Sequence, residues 1–164
     1  MNLRAEFGDI DIYLFDQLLK GNIHHGMTVL DAGCGGGRNL VYLLRHGFDV
    51  CAVDTHPAAA AHFDQMLDEM CRVLKPGGML FARLASSIGI ESLIQSTGIG
   101  GNGWFALPDG SERFLVNEAK LNAAAERLRA TPLEPLKTTN VANLRCMTTW
   151  VLGKTTAAIS RKYQ

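Results

Sequence analysis

Asp31, Gly33, Gly35 and Gly37 alternate through the stretch Val29-Leu30-Asp31-Ala32-Gly33-Cys34-Gly35-Gly36-Gly37-Arg38, and Asp54 follows 23 residues after Asp31. The stretch comes after an apolar run and before a helical pattern. Glycines at such a place let the backbone turn tightly and approach a ligand closely, with N–H groups directed at it. An acid at the end of the next strand can accept both hydroxyls of a ribose. The spacing discriminates between ribose ligands. A dinucleotide fingerprint needs G-x-G-x-x-G, but the sixth position counted from Gly33 is Arg38, and from Gly35 it is Leu40. The pattern present is D-x-G-x-G-x-G, which disfavours a pyrophosphate site.

These residues need elements to hold them. Residues 7–20 carry Phe7, Ile10, Tyr13, Leu14 and Leu18 at helical spacing, and Gly21 is a suitable stop. Residues 27–31 form a short apolar run. Residues 38–46 read as a helix with Leu40, Val41, Leu43 and Leu44 on its apolar face. Residues 49–54 repeat the buried-strand pattern. Pro57 suits the first turn of a helix over 58–74, where Phe63, Met66, Leu67, Met70, Val73 and Leu74 recur at helical intervals. Lys75-Pro76-Gly77-Gly78 ends that helix, because proline stops it and glycine permits the reversal. Residues 79–84 are a third strand. Strand–helix–strand–helix–strand implies right-handed crossovers and a parallel sheet. Beyond it, 86–103 reads as a loop or short helix, and 104–107 with 113–116 as a hairpin about Pro108-Asp109-Gly110-Ser111. Residues 117–129 read as a helix, and 136–141 and 146–152 as two last strands.

The motifs resemble the class I S-adenosylmethionine-dependent methyltransferases. Asp31 and the spaced glycines match the family's first motif. The run from Leu67 to Leu80, with its Lys-Pro-Gly-Gly turn, looks like the helix and turn leading into the family's fifth strand. Cys146–Lys154 resembles its last, antiparallel strand. The resemblance covers most of residues 10–154. It implies an α/β, Rossmann-like sheet, mostly parallel with an antiparallel last strand, and S-adenosylmethionine as cofactor. It also implies a cofactor site at Asp31, Ala32, Gly33, Cys34, Gly35, Gly37, Asp54 and Thr55. The expected organisation is one domain over 1–164: an N-terminal helix in 1–22, a cofactor-binding βαβαβ unit in 27–85, and a substrate-side hairpin, helix and two strands in 86–164.

One departure stands out. Between Asp54 and Leu67 the family normally carries two more strand–helix units. At roughly 25 residues per unit, about 50 residues are missing. Removing them lets the fifth strand take the slot beside the first, giving the order 2-1-5-7-6 in family labels. The second strand then becomes an apolar edge, a hazard or a route to a homodimer.

Composition narrows the alternatives. The 164 residues are 47% hydrophobic and 20% charged, with sixteen basic residues against sixteen acidic. That balance argues against nucleic-acid or membrane-surface binding driven by overall charge. No run is long enough to span a membrane, and residues 1–9 do not read as a signal peptide, so a cytoplasmic location is expected. The four cysteines form no C-x-x-C pair, and no His/Cys spacing suggests a metal. His56 is weighed as a general base against a solvated loop residue, and Trp104 and Phe105 as a substrate lid against a hairpin packed on the sheet. No catalytic residue is assigned. The expected activity is methyl transfer to a small molecule. The alternative is a degenerate cofactor-binding or assembly module. A nicotinamide oxidoreductase fails on glycine spacing.

Overall fold

The N-terminal helical pattern is broken in the middle. The computed structural model describes residues 2–34, 36–53, 63–96 and 103–155, and in it α1 (Leu3–Phe7) and α2 (Ile12–Leu19) replace the single helix expected. Gly8, at φ 65°, ends α1, and the Asp11 side chain accepts from the Tyr13 N–H (3.0 Å) to start α2. A left-handed glycine followed by an acid able to cap makes two short helices out of one periodicity.

The chain divides into two compact units, Met1–Ala59 and Ala60–Gln164. In the first, β1 (Thr28–Ala32) leads through the glycine turn to α3 (Leu40–Arg45) and then β2 (Asp49–Val53). The two strands pair in parallel from Thr28↔Asp49 to Ala32↔Val53. An aromatic group braces the helices: Phe7 lies 4.7 Å from Phe15 and 5.2 Å from Tyr42, centroid to centroid. His46 packs tilted against Tyr42 at 4.2 Å and meets Glu6 at 3.1 Å.

In the second unit α4 (Phe63–Val73) precedes β3 (Met79–Ser86). The last strand, β9 (Arg145–Lys154), pairs antiparallel with β3 along its length, from Met79↔Gly153 to Ser86↔Cys146. On its other side β9 takes two partners in succession, β7 (Ala130–Pro132) and β8 (Lys137–Val141). Its residues Thr148–Leu152 are all buried, as a central strand requires. α5 (Glu118–Arg127) is capped by the Asn117 side chain, which accepts from the Lys120 N–H (2.8 Å). The main core gathers Trp150, Leu152, Leu121, Val116, Phe63 and Leu67. A smaller sheet of β4 (Gln95–Ser96), β5 (Trp104–Ala106) and β6 (Glu112–Phe114) forms the expected hairpin, extended by one short strand. Phe105 packs against a second cluster of Ile90, Leu107, Leu115 and Cys146, which fits the packed hairpin rather than a lid.

The described ladders run in both senses: β1–β2 is the parallel pair, and the ladders of the second unit are antiparallel. The tight turn between β8 and β9 forces that sense, since only antiparallel strands can be joined without a crossover. The expected place of β3 beside β1 depends on residues 54–62, which lie outside the described residues. The rest of the expected order, with the last strand between the fifth and the strand over 136–141, is present as β3-β9-β8, and β7 pairs with the far end of β9. No helix of the described residues is long and apolar enough to cross a membrane.

Candidate functional site

The register Ala32↔Val53 brings the C-terminal ends of β1 and β2 together. The chain leaves β1 at this end through Gly33, at φ 82°, a left-handed conformation that side-chain-bearing residues rarely adopt. A Cβ added there would meet nothing within 4 Å. Glycine is therefore needed for backbone conformation, and open space lies beside it. Cys34, a partly buried free thiol, accepts at its carbonyl from the Gly37 N–H (2.8 Å). The Gly37 carbonyl in turn accepts from the Leu40 N–H (2.9 Å), which closes the turn onto α3.

Asp31 is partly buried on β1, opposite Ala52, and its Oδ2 is shielded from solvent. Ala32 is exposed at the strand end. The structure thus brings Asp31, Ala32, Gly33, Cys34 and Gly37 together at one strand-to-helix turn. Gly35, Asp54, Thr55 and His56 lie outside the described residues.

The outgoing limb of the turn is held by contacts that sequence reasoning missed. Arg38 donates to the Asp9 carbonyl (3.3 Å) and to the Asp11 carboxylate (3.5 Å). The Asn39 side chain accepts from the Asp11 N–H (3.0 Å). These bonds span about thirty residues of chain and leave no local pattern. A capping acid just ahead of a helical run was the one available signal.

In the second unit, the Lys-Pro-Gly-Gly turn is closed from a distance. The Lys154 ammonium donates to the carbonyls of Cys71 and Leu74, both at 2.7 Å. Its backbone exchanges bonds with the turn: Gly77 N–H to the Lys154 carbonyl (3.0 Å) and Lys154 N–H to the Gly78 carbonyl (2.8 Å). A cation on the last carbonyls of α4 satisfies groups the helix cannot pair itself. Burial of Cys146 and partial burial of Cys71 push both thiols above their ordinary range. Among the described residues no group of three or more His, Cys, Asp or Glu could hold a metal ion.

Residues 19–76 match the family described as tellurite resistance protein TehB. No match to a curated protein was found. Among solved structures, the chain resembles 1,6-didemethyltoxoflavin-N1-methyltransferase of Burkholderia thailandensis, determined with bound 1,6-didemethyltoxoflavin and S-adenosylhomocysteine. The TM-score is 0.62 and the identity 16%, over 94% of this chain and 81% of that one. It also resembles the glycopeptide N-methyltransferase MtfA, with a TM-score of 0.50 and 14% identity, over 93% of this chain and all of the other. The α/β arrangement and these likenesses together give the chain the class I S-adenosylmethionine-dependent methyltransferase fold.

Proposed function

We propose that this protein binds S-adenosylmethionine at the glycine turn after β1 and transfers its methyl group to a small-molecule acceptor. The observation that carries the reading is Gly33, left-handed at the strand end with open space where a side chain would stand. A backbone held in this way can lie directly against a ligand. Among the described residues, Asp31, Ala32, Gly33, Cys34 and Gly37 would place the methionine end. Asp54 and Thr55 would hold the ribose, and Gly35 completes the turn. The residues present fit the group, and the bound structure of one similar protein with S-adenosylhomocysteine supports the choice of ligand.

When bound, the donor supplies an electrophilic methyl group on a positively charged sulfur. The chain's own contribution is to orient it, and proximity can supply several kcal/mol of a barrier. A catalytic base is optional for such a reaction, and none is assigned. We further read the two units as parts of one cytoplasmic domain, and the short link between Asp54 and Leu67 as an internal deletion. The β2 edge is the route by which a homodimer would form.

Titration of the protein with S-adenosylmethionine and S-adenosylhomocysteine tests the reading. Saturable binding of both, weakened in Asp54→Ala, is expected. Absence of binding contradicts it, and tight NADH binding would favour an oxidoreductase instead. The short stretch between Asp54 and Leu67, about 50 residues less than the family carries there, favours a second reading. In it the chain is a binding module without catalysis. Donor binding without methyl transfer to any of a panel of small-molecule acceptors would select that reading.

A further inference from the structure

Asn39 precedes α3 in a helical backbone conformation (φ −78°, ψ −19°) and makes no side-chain cap bond there. Its side-chain carbonyl is instead used on the Asp11 N–H (3.0 Å), 28 residues earlier in the chain. Its neighbour Arg38 reaches the same segment, donating to the Asp9 carbonyl (3.3 Å) and the Asp11 carboxylate (3.5 Å). Asp11 is also fixed on its own side. Its other carboxylate oxygen caps α2 through the Tyr13 N–H (3.0 Å), and only 11% of its side chain is exposed. Two consecutive residues directly after Gly37 are thus tied to one elbow, the Asp9–Asp11 link between α1 and α2.

We propose that this elbow is a positioning device for the glycine turn, with Asn39 and Asp11 as positioning residues that set the turn's outgoing limb for the methyl donor. The inference rests on the reading of the turn as the donor site. The reach of the Asn39 bond, 28 residues back to Asp11, favours it over a bond serving α3 alone. A residue needed only for the stability of α3 would bond to α3, whereas Asn39 couples the turn to a distant segment. The N-terminal helices then act on donor affinity without touching the donor.

The test is Asn39→Ala, compared with Asn39→Asp, which keeps an acceptor for the Asp11 N–H. Two readouts are taken: S-adenosylhomocysteine affinity by calorimetry, and hydrogen exchange of residues 9–13 and 36–40 in the free protein. Loss of one such bond should weaken affinity roughly fivefold. Exchange at both segments should rise together, and Asn39→Asp should restore both to near wild type. Unchanged affinity in Asn39→Ala, or failure of Asn39→Asp to rescue, overturns the proposal. Should Asn39→Ala not fold, Arg38→Gln cuts the other tie on a side chain that is 59% exposed, and unchanged affinity there overturns it equally. If wild-type protein binds no S-adenosylhomocysteine, the donor reading fails on its own. Exchange alone then decides the tether: a coupled rise supports it, and unchanged exchange removes it.

Discussion

The two units of this chain hold their shape by different means. The second buries Trp150, Leu121, Leu152, Val116 and Leu67 in one cluster, and its central strand is covered along five consecutive residues. The first has four buried apolar side chains among its described residues, Leu14, Ile23, Leu40 and Leu43. Its sheet is a parallel pair that leaves Leu30 44% exposed. It relies more on polar ties and aromatic contacts: the elbow on Arg38 and Asn39, and the ring contacts of Phe7, Tyr42 and His46. The glycine turn belongs to this thinly packed unit. On the proposed reading, donor binding falls on the part with less apolar support, where it has the most to stabilise.

Several changes can break or sharpen that contrast. Trp150→Ala should have the largest effect. It removes a side chain that is 2% exposed, at about 3–5 kcal/mol for a buried tryptophan. Leu30→Ala, on the open face of β1, should stay within about 0.5 kcal/mol. Urea unfolding of both variants measures the difference, and equal losses would mean that the first unit is as tightly packed as the second.

Thiol labelling probes the same contrast without mutation. Cys51 is exposed on β2, whereas Cys146 is 1% exposed. Cys51 should react with iodoacetamide in the native protein, and Cys146 only on unfolding. Burial holds the Cys146 thiol above its ordinary range. The folded state therefore keeps a proton that the unfolded state loses. Stability from this group is complete below the ordinary thiol range and falls as pH rises through and beyond it. Unfolding curves that grow steadily more stable through that alkaline window would contradict the sign.

Arg127→Ala should do less. Arg127 bridges Asp68 and Asp64 (3.2 Å to the latter) between α5 and α4, but all three side chains are more than a third exposed. A loss below about 1 kcal/mol, shrinking as salt is added, is expected from urea titration at two ionic strengths. A larger, salt-independent loss would move this pair into the core account.

The sequence revealed the parts whose cause is local. Asn117 ahead of an Ala/Leu/Glu/Lys run marks α5, and Pro108-Asp109-Gly110-Ser111 marks the hairpin, where Ser111 donates to Asp109 through its hydroxyl (2.6 Å) and its N–H (2.9 Å). The Lys-Pro-Gly-Gly turn and the buried run of β9 were legible for the same reason. What escaped depends on partners far along the chain. β7 is three residues long and includes Pro132; it exists because the end of β9 offers it an edge. Lys154 capping α4 joins residues about eighty positions apart. The elbow at Asp11 is hidden because residues 7–20 read as one helical run. At the candidate site, the strand end and the glycine turn could be read directly, while the ties that hold Arg38 and Asn39 could not.

The most direct test of the account uses a pair of matched glycines, one in each unit. Gly33 and Gly110 have φ of 82° and 80°, and a Cβ would meet nothing within 4 Å at either. Alanine at each should therefore cost a similar amount of backbone strain, roughly 1–2 kcal/mol. Calorimetric titration of S-adenosylhomocysteine into Gly33→Ala and Gly110→Ala separates strain from binding. The account predicts that Gly33→Ala loses about tenfold or more in affinity while Gly110→Ala binds as wild type does, the former drop corresponding to about 1.4 kcal/mol. Equal affinity in the two variants would contradict the glycine turn as the donor site.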